Sequence, residues 1–524
     1  MVEEGKIWVA SDDAGRHIAL DPALANRHGL IAGATGTGKT VTLKVLAEGF
    51  SSIGTPVFVA DVKGDIAGLV NPGTENDDMK ERIDRFGLSE SGYSMSGFPV
   101  TIWDCFGEKG IPLRTTVSEM GPMLLSRLLG LNDLQTDILS VAFKIADEQN
   151  LLLVDIKDLK ALLNYISEHN KEFEADYGKM SPQSIAAIVR ALVALSVAGG
   201  DTFFGEPALS LSDWFTQSDG KGMIHVLDAS KLMNDGKLYS TFLLWMMSEL
   251  FETLPEVGDQ EKPKLVFFFD EAHLLFSDAP KAFLDKVEQV VKLIRSKGVG
   301  IYFCTQNPKD IPNGILSQLG NKIQHGLRAY TPADQKAVKA AADSYRANPD
   351  FDTADTIMNL GTGEAVISFL EEGGVPMMAA KGYVLPPQSS FGAIDEGKRN
   401  SVITGSILYS KYANAVDPDS AFEFLERRGL EKAAAAEAAA AEAEAAKQAE
   451  KEAKEAEKAA AKAAAAEERR KKQAINSVGN SVAGTVGREA GKNLGKTFGK
   501  FGKTLGGNVG ASLGRGLFAT LFRR

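Results

Sequence analysis

The chain reads as an α/β protein built on a doubly wound, mostly parallel sheet, and two patterns predict this. Short continuous apolar runs such as Pro56-Val57-Phe58-Val59-Ala60-Asp61 and Lys264-Leu265-Val266-Phe267-Phe268-Phe269-Asp270 suit strands buried on both faces. Between such runs lie stretches with apolar residues every three or four positions, the period of helices packed against a sheet. Strands alternating with helices argue for parallel pairing.

In chain order, Ile7-Trp8-Val9-Ala10 and His17-Ile18-Ala19-Leu20 suggest a leading hairpin around Asp12-Asp13-Ala14-Gly15. His28-Gly29-Leu30-Ile31-Ala32 reads as a buried strand, and Val41-Thr42-Leu43-Lys44-Val45-Leu46-Ala47 as the first turns of a helix. Between them stands Gly33-Ala34-Thr35-Gly36-Thr37-Gly38-Lys39-Thr40, which fits the phosphate-binding pattern G-x-x-x-x-G-K-[ST] at every position. The glycines let the backbone turn tightly and approach an anion. The loop amides and the helix N-terminus then face that anion. Lys39 is placed to reach β- and γ-phosphates, and the Thr40 hydroxyl to bind Mg²⁺. ATP and Mg²⁺ are the expected cofactors.

Phe98-Pro99-Val100-Thr101-Ile102-Trp103-Asp104 is a further strand. Residues 116–215 turn helical, with Leu134, Ile138, Leu139, Ala142 and Phe143 on one stripe, and carry no catalytic signature. Strands return at Met223–Asp228, Lys264–Glu271 and Val299–Gln306, followed by Lys322–Arg328, Glu364–Phe369 and Pro376–Ala379. The expected organisation is an ATPase domain in two parts, 1–115 and 216–385, split by the helical insertion 116–215. A linker with short helices (386–430), an Ala/Glu/Lys-rich helical spacer (431–473) and a basic Gly-rich tail (474–524) follow. The spacer is rich in strong helix formers, with i,i+4 pairs such as Glu450 and Lys454. As one helix it would reach roughly 60 Å at 1.5 Å per residue.

At 524 residues the chain exceeds one ordinary core, and 44% hydrophobic with 24% charged residues is a globular composition. Cys105 and Cys304 both lie in apolar runs, so packed thiols are expected rather than a bridge, which suits a reducing, cytoplasmic setting. The N-terminus has no apolar signal core, and no uninterrupted apolar run is long enough to span a bilayer. The net charge of −11 is uneven: from Ala474 onward there are eight Lys/Arg against one Glu. The acidic body is therefore no general nucleic-acid sponge, and DNA contact there must be local, as in a ring's pore. Gly487, Gly491, Gly495 and Gly499 recur every fourth residue of the tail, interleaved with Lys492, Lys496 and Lys500. That pattern fits self-association, a partner protein or peripheral docking on an anionic inner-membrane surface; a flexible basic tail is the plain alternative.

Phosphoryl transfer to water needs a metal partner, a water-orienting group and positive charge at the transition state. Apolar runs end in Asp61, Asp104 and Asp228, but only Asp270-Glu271 offers two carboxylates side by side. Asp270 is therefore expected to hold Mg²⁺ and Glu271 to activate water. Gln306 closes the next strand and is expected to sense the γ-phosphate or the attacking water. Arg328, beyond a later strand, is a candidate arginine finger for a neighbour's site; Arg295 and Lys297 could also face phosphate. His273 lacks ligand company and reads as a hydrogen-bonded structural histidine.

The residues His28–Thr40, Asp61-Val62-Lys63-Gly64-Asp65, Phe269-Asp270-Glu271-Ala272-His273 and Thr305-Gln306-Asn307-Pro308 resemble the HerA/FtsK superfamily of P-loop ATPases. The likeness is nearest to its bacterial HerA-like group and covers residues 1–430. It includes the run Leu131-Asn132-Asp133-Leu134-Gln135-Thr136-Asp137. The resemblance implies a RecA-like sheet of the additional-strand catalytic-glutamate type and a homo-oligomeric ring, usually hexameric, with sites between subunits. It also implies double-stranded DNA as cargo. The residues before Gly33 are too few for the N-terminal β-barrel of HerA, so a HerA-type nuclease partner is not expected. The leading expectation is a DNA-translocating or helicase-like ATPase. The alternative is a membrane-peripheral ATPase acting on protein or envelope cargo through its tail. Glu271 and Gln306 disfavour a slowly hydrolysing scaffold.

Overall fold

A computed structural model of the chain describes residues 1–475, other than 235, 259 and 278–280. The leading hairpin is β1 (Lys6–Ser11) and β2 (His17–Leu20). β3 (Gly29–Ala32) enters the phosphate loop and α1 (Lys39–Ser52) leaves it. β4 (Val57–Asp61), α2 (Asp77–Arg85) and β5 (Val100–Asp104) follow. Then come α3 (Val117–Leu129), α4 (Asp133–Glu148), α5 (Ile156–Glu168) and α6 (Pro182–Leu195). Alternation resumes with β6 (Ile224–Asp228), α7 (Gly236–Thr253), β7 (Leu265–Phe269), α8 (Lys281–Ile294), β8 (Val299–Thr305) and β9 (Asn321–His325). After α9 (Pro332–Asp343) and α10 (Thr353–Asn359) come β10 (Glu364–Ser368) and β11 (Ala380–Val384).

These strands belong to one 13-stranded sheet, in the order β1-β11-β10-β9-β3-β8-β7-β4-β6-β5, with β2 beside β1. From β9 to β5 every pairing is parallel. β10, β11 and β1 extend the sheet antiparallel on the other side. Each residue of β3 to β8 is buried, as the continuous apolar runs imply. Strand β8 lies between β3 and β7, so an additional strand separates the phosphate loop from Asp270-Glu271. That is the order the family resemblance implied. Helix α1 comes close to β1 because position 49 is glycine; a Cβ there would stand 2.3 Å from Ile7 Cγ2.

Helices α3, α4 and α5 each begin with a reciprocal side-chain cap: Thr116 with Glu119, Asn132 with Gln135, and Asp155 with Asp158. Helix α3 packs on α4 and α7. Residues 182–203 are long and apolar enough to cross a membrane by length and composition, which the lack of an uninterrupted apolar run did not suggest. Here Ile185, Ile188 and Leu192 are buried, α6 packs against α4 and α5, and Gly199 at φ 104° breaks the helix. Cys105 and Cys304 are free, buried thiols, as expected.

Two expectations need correction. The second late strand is Ala380–Val384, not Pro376–Ala379. Val375-Pro376 makes only a two-residue ladder with Leu370-Glu371, and proline lacks the amide to continue one. The segment from Pro386 is a packed strap rather than a linker. Glu48 on α1, itself buried, accepts hydrogen bonds from the amides of Gln388 (2.8 Å) and Ser389 (3.0 Å) and from the Ser389 hydroxyl (2.5 Å). Lys44, one turn earlier, donates to the Ser390 carbonyl at 2.9 Å. Burial pushes the Glu48 carboxyl up, and the donors from the strap pull it back down.

Helix α11 (Ala421–Ile475) is exposed from 431 to 470 and carries the Glu450–Lys454 pair at 2.7 Å. The expectations for the Gly/Lys tail lie outside the described residues beyond Ile475.

The strap makes one test. Ser389→Ala removes a buried donor to Glu48 and should cost about 1–3 kcal/mol in urea unfolding. An unstructured linker would give no change.

Candidate active site

The site grows from the C-terminal edge of the parallel strands. Thr305 lies opposite Ala32, and Phe269 opposite Phe303 and Ala60, so β3, β8, β7 and β4 end at nearly one level. The phosphate loop turns through Gly36 at φ 79° and Gly38 at φ 114°, left-handed values that favour glycine. His325, at the end of β9, backs the loop: a Cβ on Gly33 would stand 2.5 Å from His325 Cβ. The His325 ring is buried, with Nδ1 2.9 Å from the Glu364 carbonyl and Nε2 2.8 Å from Thr42 Oγ1. A carbonyl only accepts, so Nδ1 carries the proton and Nε2 accepts from Thr42. Burial pushes this imidazole down to about 4, which keeps it neutral.

Lys39 folds back into its own loop, donating to the carbonyls of Gly33 (2.7 Å) and Ala34 (3.1 Å). Burial holds its ammonium below the usual lysine range, against the pull of Glu271. Asp270 is buried, and its Oδ2 has no hydrogen-bond partner among the described residues. Burial raises Asp270 to about 6; nearby Lys63 opposes the rise and Glu271 adds to it. Glu271 sits at φ 48°, a left-handed value rare for a residue with a side chain and a form of strain that gathers at functional sites.

The surroundings of Glu271 include a residue that sequence reasoning passed over. Lys63 Nζ lies 2.7 Å from Glu271 Oε1. Gln306 Nε2 donates to Glu271 Oε2 at 3.4 Å, and His273 Nδ1 stands 3.3 Å from that same oxygen. Burial alone would raise Glu271; the ion pair with Lys63 and the Gln306 contact leave it below the ordinary carboxylate range. The signal for Lys63 was in the Asp61–Asp65 block, whose lysine had no assigned role. Asp61 accepts from the amides of Lys63, Gly64 and Ile66, a tight turn that delivers Lys63 to the site. The adjoining cavity of about 340 Å³ is lined by Thr35, Lys39, Thr40, Lys44, Lys63 and Asp65, among others.

The structure thus brings together Gly33, Ala34, Thr35, Gly36, Thr37, Gly38, Lys39 and Thr40 with Asp270, Glu271 and Gln306. It does not bring in the strand-end carboxylates Asp104 and Asp228. Asp104 accepts from the amides of Phe106, Glu108 and Lys109, and Asp228 pairs with Arg399 at 3.1 Å. Arg328 lies beyond β9, exposed, with its guanidinium donating to the carbonyls of Met358 (2.7 Å) and Leu360 (3.4 Å) of its own chain. Arg295 and Lys297 precede β8 and so stand at the opposite edge of the sheet, roughly 20 Å away by strand rise. They cannot face a phosphate in this chain's loop.

The described residues hold no cluster of three or more His, Cys, Asp or Glu able to cage a metal. Mg²⁺ does not require one, because it is commonly held by one or two protein oxygens plus nucleotide phosphates. The unpartnered Asp270 oxygen near the loop fits that need.

A phosphate loop, an additional strand and a strand-end Asp-Glu pair define a P-loop ATPase of the additional-strand type. Residues 6–508 match the family model for the helicase HerA-like C-terminal domain, and the chain belongs to that family. It is 30% identical over 149 residues to the DNA double-strand break repair helicase HerA of Sulfolobus acidocaldarius, covering 28% of this chain and 29% of that one. The HerA helicase of Sulfurisphaera tokodaii matches to the same extent. The chain therefore spans less than a third of the curated relatives it matches. Among solved structures, the conjugative coupling protein TrwB aligns with a TM-score of 0.49 at 16% identity, covering 75% of this chain and 91% of that one. VirB4 of Thermoanaerobacter pseudethanolicus aligns with a TM-score of 0.47 at 16% identity, covering 73% and 97%.

The Lys63–Glu271 pair has a pH consequence. Lys63→Met removes the main opposition to burial, so Glu271 should protonate at higher pH. The acidic limb of the pH–turnover profile should move upward; an unmoved limb would show that the pair does not set the ionisation of Glu271.

Proposed function

We propose that this chain is an ATP-hydrolysing motor of the HerA/FtsK type that works on DNA. The observation that carries the reading is Glu271, strained, ionised and gripped by Lys63 and Gln306 across the additional strand from Lys39. Lys39 leaves its two loop carbonyls for the β- and γ-phosphates, which offer stronger, charge-assisted contacts. Glu271 accepts the proton of the attacking water, and Gln306 orients that water. The proton stays on Glu271 while the γ-phosphoryl group leaves as phosphate and ADP remains. Thr40 and Asp270 would hold Mg²⁺, whose charge offsets that of the phosphates.

A homo-oligomeric ring, hexameric as in the family, would complete the site and carry a local DNA surface in its pore, consistent with the acidic body. Arg328 would serve a neighbour's site only by giving up its carbonyls at Met358 and Leu360. A cytoplasmic setting agrees with the two free thiols. The second reading, a membrane-peripheral ATPase with protein or envelope cargo, rests on the basic tail 474–524.

The test is ATP turnover by the full chain with and without double-stranded DNA across a salt series. DNA should stimulate turnover, and the stimulation should fall steeply with salt. Turnover indifferent to DNA, together with vesicle binding lost on deletion of residues 474–524, would replace this reading with the second.

A further inference from the structure

We infer that the strap 386–392 is the seat for the nucleoside of the bound nucleotide, with Phe391 as its aromatic surface. The inference rests on the reading above that the phosphate loop takes ATP. The γ-phosphate end is fixed by the groups it must meet, Asp270, Glu271 and Gln306, which gather past Lys39. A nucleoside must then leave the loop on the other side, past Gly38 and Val41. A second cavity, of about 430 Å³, opens there. Gly38, Val41, Thr362 and Phe391 line both it and the phosphate-loop cavity, so the two are adjoining parts of one cleft.

The second cavity suits a base and sugar rather than more phosphate. Val41, Met79, Leu385, Pro386, Pro387 and Phe391 give it apolar walls, and Asp78 and Glu81 at its rim would repel an anion. Its two arginines are already engaged. Arg82 donates to the carbonyls of Thr362 (2.8 Å), Gly363 (3.1 Å) and Val384 (2.9 Å), which fixes the wall beside the loop. Arg85 lies 4.2 Å from the Tyr383 ring centre and covers it. Phe391 is 43% exposed and has no ring partner of this kind among the described aromatic contacts. A base stacked on it would gain what base–aromatic contacts generally provide.

The strap is held by the helix that carries the phosphate loop. Lys44 and Glu48, one and two turns beyond Lys39, bind Ser390 and Ser389, directly before Phe391. Phosphate loop and nucleoside seat are therefore braced against one helix. This gives a use for two buried charges on α1 that the hydrolytic step does not need.

The experiment measures binding of Mg-ATP and of inorganic tripolyphosphate, which has no base, to the full chain. Phe391→Ala should weaken ATP binding roughly ten-fold, the scale of one lost base–aromatic stack, and leave tripolyphosphate unchanged. Phe391→Tyr should keep the wild-type affinity for ATP. Unchanged ATP affinity in Phe391→Ala would overturn the inference. So would an equal loss for both ligands, since Phe391 would then merely prop the loop. Wild-type ATP affinity in Lys39→Ala would instead sink the phosphate-loop reading itself.

Discussion

The candidate site depends on one constraint: parallel strands β3, β8, β7 and β4 end in register at the same edge of the sheet. Parallel pairing sets every strand's C-terminus on one side, and the register of these four strands levels their ends. With Ala32 opposite Thr305, and Phe269 opposite both Phe303 and Ala60, the next residue or two of each strand must converge. Gln306 follows β8, Asp270-Glu271 follows β7 and Lys63 is second after β4, while the phosphate loop folds Lys39 back over the end of β3. No loop has to reach far. A one-residue slip of β8 would turn Gln306 to the other face and separate it from Glu271.

Convergence concentrates charge, and the buried carboxylates there ionise unequally. Burial raises Asp61 to about 7, and the amides of Ile66 and Gly64 pull it back. Asp270 is raised to about 6, while Glu271 is held below its ordinary range by Lys63. The carboxylate with a strong ion pair is thus the one that stays ionised through neutrality, the form a general base needs. Asp270 keeps an oxygen without a partner, which a divalent cation can use. Neighbouring carboxylates in one low-dielectric pocket reach different roles through their partners.

The legible parts of the sequence were those with a periodic or motif signal. Continuous apolar runs located β4, β6, β7 and β8, and the Gly33–Thr40 pattern located the loop. Asp270-Glu271 and Gln306 were legible as polar residues closing buried strands. What stayed hidden depends on tertiary partners. Lys63 had no assigned role, and it is the Asp61 turn that aims it at Glu271. His325 carried no motif signal, yet its position behind Gly33 follows from β9 pairing with β3. Pro386–Ser390 had a linker's composition, and only Glu48 and Lys44, more than three hundred residues earlier, make it a strap. Arg295 and Lys297 were misplaced because only their closeness to β8 was weighed, whereas residues that precede a parallel strand lie at its N-terminal end, away from the loop.

The central claim is that Glu271 activates the water that attacks ATP. Rapid-quench measurement of ADP formed from ATP pre-bound to Glu271→Gln tests it most directly. The account predicts that the variant binds ATP as the wild type does and holds it intact, with the chemical step slowed at least about a hundred-fold. Formation of ADP at the wild-type rate would contradict it and move the base to another residue.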